Sequence, residues 1–193
     1  MGATLKDGLA WPCLGVFWRM LTLSLLRHAK SSWSDSRLKD FERPLNDRGE
    51  AAAPRMGAFM ARRGIMPGLI LCSTAVRARQ TLNLVLPHLK GAPELVYEDG
   101  LYLASSAAML KRLHKVAAAE RHVMIVAHDP GMHTLAVELA GTGNADDLKR
   151  LSDKFPTAGL AVIVFEAHAW PEVKWGSGRL KVFAAPKHLQ LAA

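Results

Sequence analysis

Cysteine is scarce in this chain. Its two cysteines, Cys13 and Cys72, lie far apart and form no CxxC pair, so there is no disulfide framework and no dithiol motif. They read as reduced thiols of a cytoplasmic protein, one in an atypical N-terminal stretch and one inside a buried strand. No apolar run reaches the length of a membrane span, so no membrane association is expected. Aromatic residues are sparse away from the ends, and the basic residues are scattered with no basic tail. Nucleic acid is therefore not an expected partner. Histidines at zinc-binding helical spacing are also missing, since His128 and His133 are five apart. The expectation is no metal and no cofactor. Neither internal repeats nor low-complexity segments are present, which leaves a globular reading.

What is present fits one domain of fair size. The chain has 193 residues, half of them hydrophobic, enough to bury a substantial core. Its formal charge of +8 favours anionic ligands. Residues 1–19 loosely mimic a signal peptide, but Pro12 interrupts the apolar stretch and no clear cleavage site follows. They are read as an N-terminal extension, poorly ordered or from an upstream start, with the domain occupying 20–193.

Short apolar runs alternate with helical patterns along that domain. Strands are predicted at 21–26, 69–72 and 123–127. Helices are predicted from Asn46 or Asp47 to Gly64, from Thr74 to Leu86, from Ser105 or Ser106 onward, and from Pro130 to Leu139 or Ala140. Pro54 is awkward inside the first helix and should lie near its first turns or kink it. The tail, at 160–165, 173–175 and 180–184, suggests two or three antiparallel edge strands. This alternation implies a three-layer α/β/α domain with a mainly parallel sheet. Lys30 to Pro44 is polar and reads as an active-site loop.

Three strand ends carry the chemistry. The first run ends in Arg27-His28, the run 122–127 ends in His128, and the run 68–73 leads to Arg77. In open α/β sheets, ligand chemistry gathers outside the carboxyl ends of the strands. Arginine forks donate paired hydrogen bonds to phosphate oxygens. A neutral histidine with one ring nitrogen fixed can attack phosphorus with the other. A helix N-terminus after His128 would add backbone N–H donors for an anion.

The motifs resemble those of a known superfamily. Arg27-His28-Ala29-Lys30-Ser31-Ser32-Trp33-Ser34, Ser73-Thr-Ala-Val-Arg77-Ala-Arg79-Gln80-Thr81 and Ala127-His128-Asp129-Pro130-Gly131 resemble the ordered motifs of the histidine phosphatase, or phosphoglycerate mutase-like, superfamily. Arg43-Pro44-Leu45-Asn46-Asp47-Arg48-Gly49 and Phe155-Pro156-Thr157-Ala158-Gly159 are similar to the small SixA-type phosphohistidine phosphatases. The likeness spans roughly 20–188 and implies a phosphoglycerate mutase-like fold.

By that resemblance His28 accepts the phosphoryl group, while Arg27, Arg77 and His128 clamp it. Ser31 and Ser34 lie in the substrate-binding loop. Ala29 replaces the usual glycine, which the backbone tolerates at negative φ. Ser34 replaces an asparagine that touches phosphate in relatives. Asp99 aligns with the acid of ester-cleaving relatives, Glu98 lies beside it, and the alternative is a solvated acidic turn at Glu98-Asp99-Gly100. The expected activity is hydrolysis of a phosphoryl group from a phosphorylated protein carrying phosphohistidine, or from a small phosphate ester. Two alternatives remain: a phosphomonoesterase or mutase of the same superfamily, and a non-catalytic module binding phosphate or nucleic acid. The oligomeric state is left open. Arg27 and Arg77 are expected to hold the His28 pKa below its ordinary value.

Overall fold

A computed structural model describes residues 20–189 of the protein. The extension read at 1–19, with Trp11, Cys13 and Trp18, lies outside the described residues. Among those residues a seven-stranded sheet runs in the order β3-β2-β4-β1-β6-β7-β5. Its centre is β1 (Met20–Arg27), β4 (His122–Ala127) and β2 (Leu69–Ser73). These are nearly continuous apolar runs, as parallel strands covered on both faces require. Arg27 pairs with Ala127, and Cys72 with Val126, so the three carboxyl ends lie level along one edge.

Helices cover both faces. α1 (Asp47–Arg62) and α2 (Val76–Val85) pack on one, burying Ala53, Met56, Met60, Ala78, Leu82 and Val85 against it. α3 (Ser106–Leu113), α4 (Gly131–Leu139) and α5 (Ala145–Asp153) lie on the other. The Asn46 side chain caps α1 by accepting from the Gly49 N–H, and Ser105 caps α3 through Ala108. α1 runs on through Pro54, since Glu50, whose carbonyl forfeits a partner, is exposed to water. α4 can begin only at a glycine. A Cβ on Gly131 would lie 1.8 Å from the Ala104 carbonyl oxygen.

Several sequence expectations needed correction. β6 (Leu160–Glu166) is no edge strand; it lies between β1 and β7 (Gly178–Ala184), antiparallel to both. Segment 173–175 forms no strand, because Trp170–Glu172 is a 3-10 turn that buries Trp170 and leads directly into it. The two true edges, β3 (Glu94–Glu98) and β5 (Ala140–Gly143), went unrecognised, as did α5. β3 and β5 are exposed along most of their length and have no strong apolar pattern, while α5 is short and offers only Leu148 and Leu151 to the core. α2 starts at Val76 and not Thr74 because Ala75 is still extended. No described helix is long and apolar enough to cross a membrane.

Candidate active site

The carboxyl ends of β1, β4 and β2 bring His28, His128 and Ser73 together. His28 follows β1 and donates its backbone N–H to Ala127 at 3.1 Å, which sets it beside His128 across the ladder. The two imidazole centroids are 5.0 Å apart. His28 Nδ1 lies 2.7 Å from the Ala29 carbonyl oxygen, and a carbonyl can only accept. Nδ1 therefore carries the proton, and Nε2 keeps a lone pair. Arg77 Nε donates to that nitrogen at 3.2 Å.

The loop after His28 is held from two sides. Ala29, which has no positive φ, donates its N–H to Thr81 Oγ1 at 2.9 Å, and Thr81 donates in turn to the Arg77 carbonyl. Ala158, at φ +54, donates its N–H to the His28 carbonyl, and Gly159 accepts from the Arg27 N–H. The 155–159 motif thus grips the backbone of the two residues it must present. Arg27 donates from one terminal nitrogen to the Phe155 carbonyl and lies 3.6 Å from Asp129 with the other.

Asp40 is the residue that sequence reasoning missed. Its carboxylate accepts from Arg77 at 2.8 Å, Tyr102 at 2.7 Å and Arg43 at 2.7 Å, and its carbonyl accepts from Arg77 as well. Burial pushes the Asp40 pKa up, but the hydrogen bonds from Tyr102, Arg77 and Arg43 outweigh it and hold the carboxyl below its ordinary value. One signal was available, an acid three residues before the arginine of the Arg43-Pro44 motif.

The other expected residues separate into two groups. Arg27, His28, Arg77 and His128 converge. Ser31 joins at one remove, because its hydroxyl accepts from Arg43 at 2.9 Å. Ser34 is exposed and lies against Ser32 Oγ at 2.8 Å, with no described hydrogen bond to either imidazole. Asp99 accepts from Thr74 Oγ at 2.5 Å, and no described hydrogen bond joins it to His28, Arg77 or His128. Glu98 is paired with Arg112 at 2.6 Å. Among the described residues, no group of three His, Cys, Asp or Glu side chains could hold a metal ion.

Three buried atoms here have no protein partner, and beside the acceptor Asp129 Oδ1 two of them mark what the cluster can hold. His128 Nε2 lies 2.8 Å from Ser73 Oγ, while its Nδ1 and the Nε of Arg27 have no protein partner. Each such atom costs about 1–3 kcal/mol. Packing alone would not retain them beside a ring of cations, whereas an oxyanion would satisfy them. The arrangement is a neutral imidazole set among donors suited to a phosphoryl group.

Relatives decide the assignment. The profile of the histidine phosphatase superfamily (branch 1) matches residues 23–102. An uncharacterized protein of Mycobacterium tuberculosis is 34% identical over 166 residues, covering 84% of this chain and all of that protein. The chain belongs to the histidine phosphatase superfamily. Within it the protein is SixA-like and a phosphoryl-group hydrolase. A crystal structure described as a candidate phosphohistidine phosphatase SixA from Agrobacterium tumefaciens shares 35% identity and a TM-score of 0.71, covering 86% of this chain and 98% of that one. A protein histidine phosphatase SixA complexed with tungstate has the same TM-score over 88% and 100% of the two chains. At 19% identity it speaks for the fold alone.

This histidine phosphatase should tolerate acid in catalysis and resent it in stability. Burial first, then Arg77 and Arg27, lowers the His28 pKa from 6.5 to about 4, against the opposing Ala29 hydrogen bond and Asp40. The sequence-based expectation named the cations, but burial is the larger cause. Burial likewise lowers His128 to about 3 and His122 to about 4. These values lie below those of the unfolded chain, so the unfolded state takes up protons first. Stability is therefore full above about pH 6.5 and falls as the pH drops towards 4. Urea-unfolding midpoints should decline over that window while His28 stays neutral and turnover persists to about pH 5. A midpoint unchanged between pH 7 and 4 would contradict the buried neutral imidazoles.

Proposed function

We propose that this phosphatase removes the phosphoryl group from phosphohistidine in a phosphorylated protein, through a covalent intermediate on His28. The lone pair of Nε2 attacks phosphorus as the substrate P–N bond breaks. The electron pair of that bond stays on the substrate imidazole, which takes a proton from solvent. Arg77 transfers its Nε–H from Nε2 to a phosphoryl oxygen, and Arg27 and His128 Nδ1–H bind the others. Water then attacks phosphorus, the P–Nε2 electron pair returns to His28, and inorganic phosphate leaves. The buried thiol of Cys72 suits a cytoplasmic setting for this chemistry.

The observation that carries the choice of substrate is the state of Asp40. It accepts hydrogen bonds from Tyr102, Arg77 and Arg43 that hold it ionised, whereas the other carboxyl group at the cluster, Asp129, lies 3.6 Å from Arg27. An ionised carboxylate cannot protonate a departing alkoxide, whereas the imidazole of phosphohistidine leaves without such help. The likeness to the Agrobacterium SixA structure supports the same reading.

Ester hydrolysis would need an acid, and Asp99 is the residue the motif alignment offers. Initial rates on a phosphohistidine peptide and on a panel of phosphate esters, for wild type and Asp99→Asn, test the choice. Wild type should prefer the peptide, and Asp99→Asn should leave peptide turnover within about threefold. A wild-type preference for esters, with Asp99→Asn costing about 10²-fold on them, would assign the protein to the ester-cleaving branch.

A further inference from the structure

A groove of about 940 Å³ opens beside the catalytic cluster and shares Arg27 with it. Arg48 and Arg55 of α1 form one wall, Arg150 of α5 and Lys154 beyond it another, and Lys187 follows β7. Lys30, from the loop after His28, lies where the groove meets the site. Among the described residues Asp153 is the sole carboxylate lining it.

Part of this charge is structural. Arg55 donates to the Pro186 and Leu189 carbonyls, and Arg150 pairs with Asp147 and the Phe183 carbonyl. Lys30, Arg48, Lys154 and Lys187 have no described salt bridge and are exposed. Like charges gathered along one groove repel, which costs stability, and among the described residues Asp153 is the one carboxylate of the lining set against them. They are also spread along the walls.

We propose that this groove docks an acidic segment of the phosphorylated protein substrate while its phosphohistidine reaches His28 past Arg27. The inference rests on the proposed phosphohistidine activity. The fit is one of charge and continuity: an extended row of carboxylates matches separated cations, and Arg27 links the row to the reacting phosphorus. Rim charges of this kind act on association and on salt dependence, and so on KM more than on kcat.

The triple variant Arg48→Glu, Lys154→Glu, Lys187→Glu reverses the groove without touching the catalytic cluster. Three probes separate the possibilities: an unphosphorylated Asp/Glu-rich peptide in a binding titration, phosphohistidine peptides with acidic or neutral flanks, and phosphoramidate. Wild type should bind the acidic peptide in a salt-dependent way. It should also favour the acidic phosphopeptide by roughly tenfold in KM, in line with a few exposed ion pairs. The variant should lose both preferences and hydrolyse phosphoramidate at the wild-type rate. Acidic peptide that fails to bind, or binds the variant equally, overturns the groove assignment while phosphoramidate turnover still stands. Binding of duplex DNA or anionic vesicles in preference to the peptide overturns it too. Failure of wild type on every phosphohistidine compound removes the activity reading, and the peptide titration then still judges the groove.

Discussion

His28→Ala is expected to lower turnover by about 10⁴-fold or more, the scale seen when an enzyme loses its nucleophile. The argument is geometric before it is electrostatic. Nδ1 is committed to the Ala29 carbonyl, so Nε2 is the nitrogen left to attack, and it faces Arg77 and the His128 ring. Burial keeps that nitrogen unprotonated at neutral pH. Incubation with ³²P-labelled phosphohistidine peptide should label wild type with an acid-labile, base-stable phosphoenzyme and leave His28→Ala unlabelled. Equal labelling of the two would rule out His28 as acceptor. The fold should survive, because the Arg77–Asp40 network and the Ala29–Thr81 hydrogen bond do not depend on the imidazole.

Arg77→Ala should cost about 10²–10³ in kcat, the usual loss when one preorganised donor to a transition-state oxyanion is removed. Arg77 is 4% exposed, donates to His28 Nε2 and is oriented by both the carboxylate and the carbonyl of Asp40. Arg77→Lys should restore little, since an ammonium keeps the charge but not the fork. The stability cost should be modest, about 1–2 kcal/mol, because Asp40 is partly exposed and keeps Arg43 and Tyr102. Loss of this cation should also raise the His28 pKa from about 4, which an NMR titration would read. A kcat within about tenfold of wild type would remove Arg77 from the phosphoryl clamp.

Asp40 gives these two results a common origin. It holds Arg77 and Arg43 in place, and the hydrogen bonds from Tyr102, Arg77 and Arg43 hold its carboxyl below the ordinary value, as befits a group that positions its neighbours. Its spacing three residues before Arg43 is the one local mark that sets it apart from the other charges of 30–44. The loop folds back so that Ser31 pairs with Leu45 and Arg43 reaches the Ser32 carbonyl, and that closure delivers Asp40 to Arg77. Ser34 and Asp99, chosen by motif position alone, stay off the ring around Nε2.

The central strands and their functional ends were readable from residue order. Parallel strands buried on both faces must be apolar runs, and right-handed crossovers place their carboxyl ends on one edge. Arg27-His28 and His128 stand at such ends, Arg77 follows one closely, and their convergence required no distant information. The exposed elements left no comparable mark. β3 and β5 bury so little that their positions came from pairing, not from an apolar period, and α5 marks its face with only Leu148 and Leu151. The same holds for Asp40 and for the basic groove, whose walls come from α1, α5 and the chain after β7. Burial, not the neighbouring arginines, dominates the pKa values of His28 and His128, and burial exists only once the layers have closed over the rings. Local pattern specifies what a residue can do, but its distance, desolvation and partners depend on segments far away in the chain.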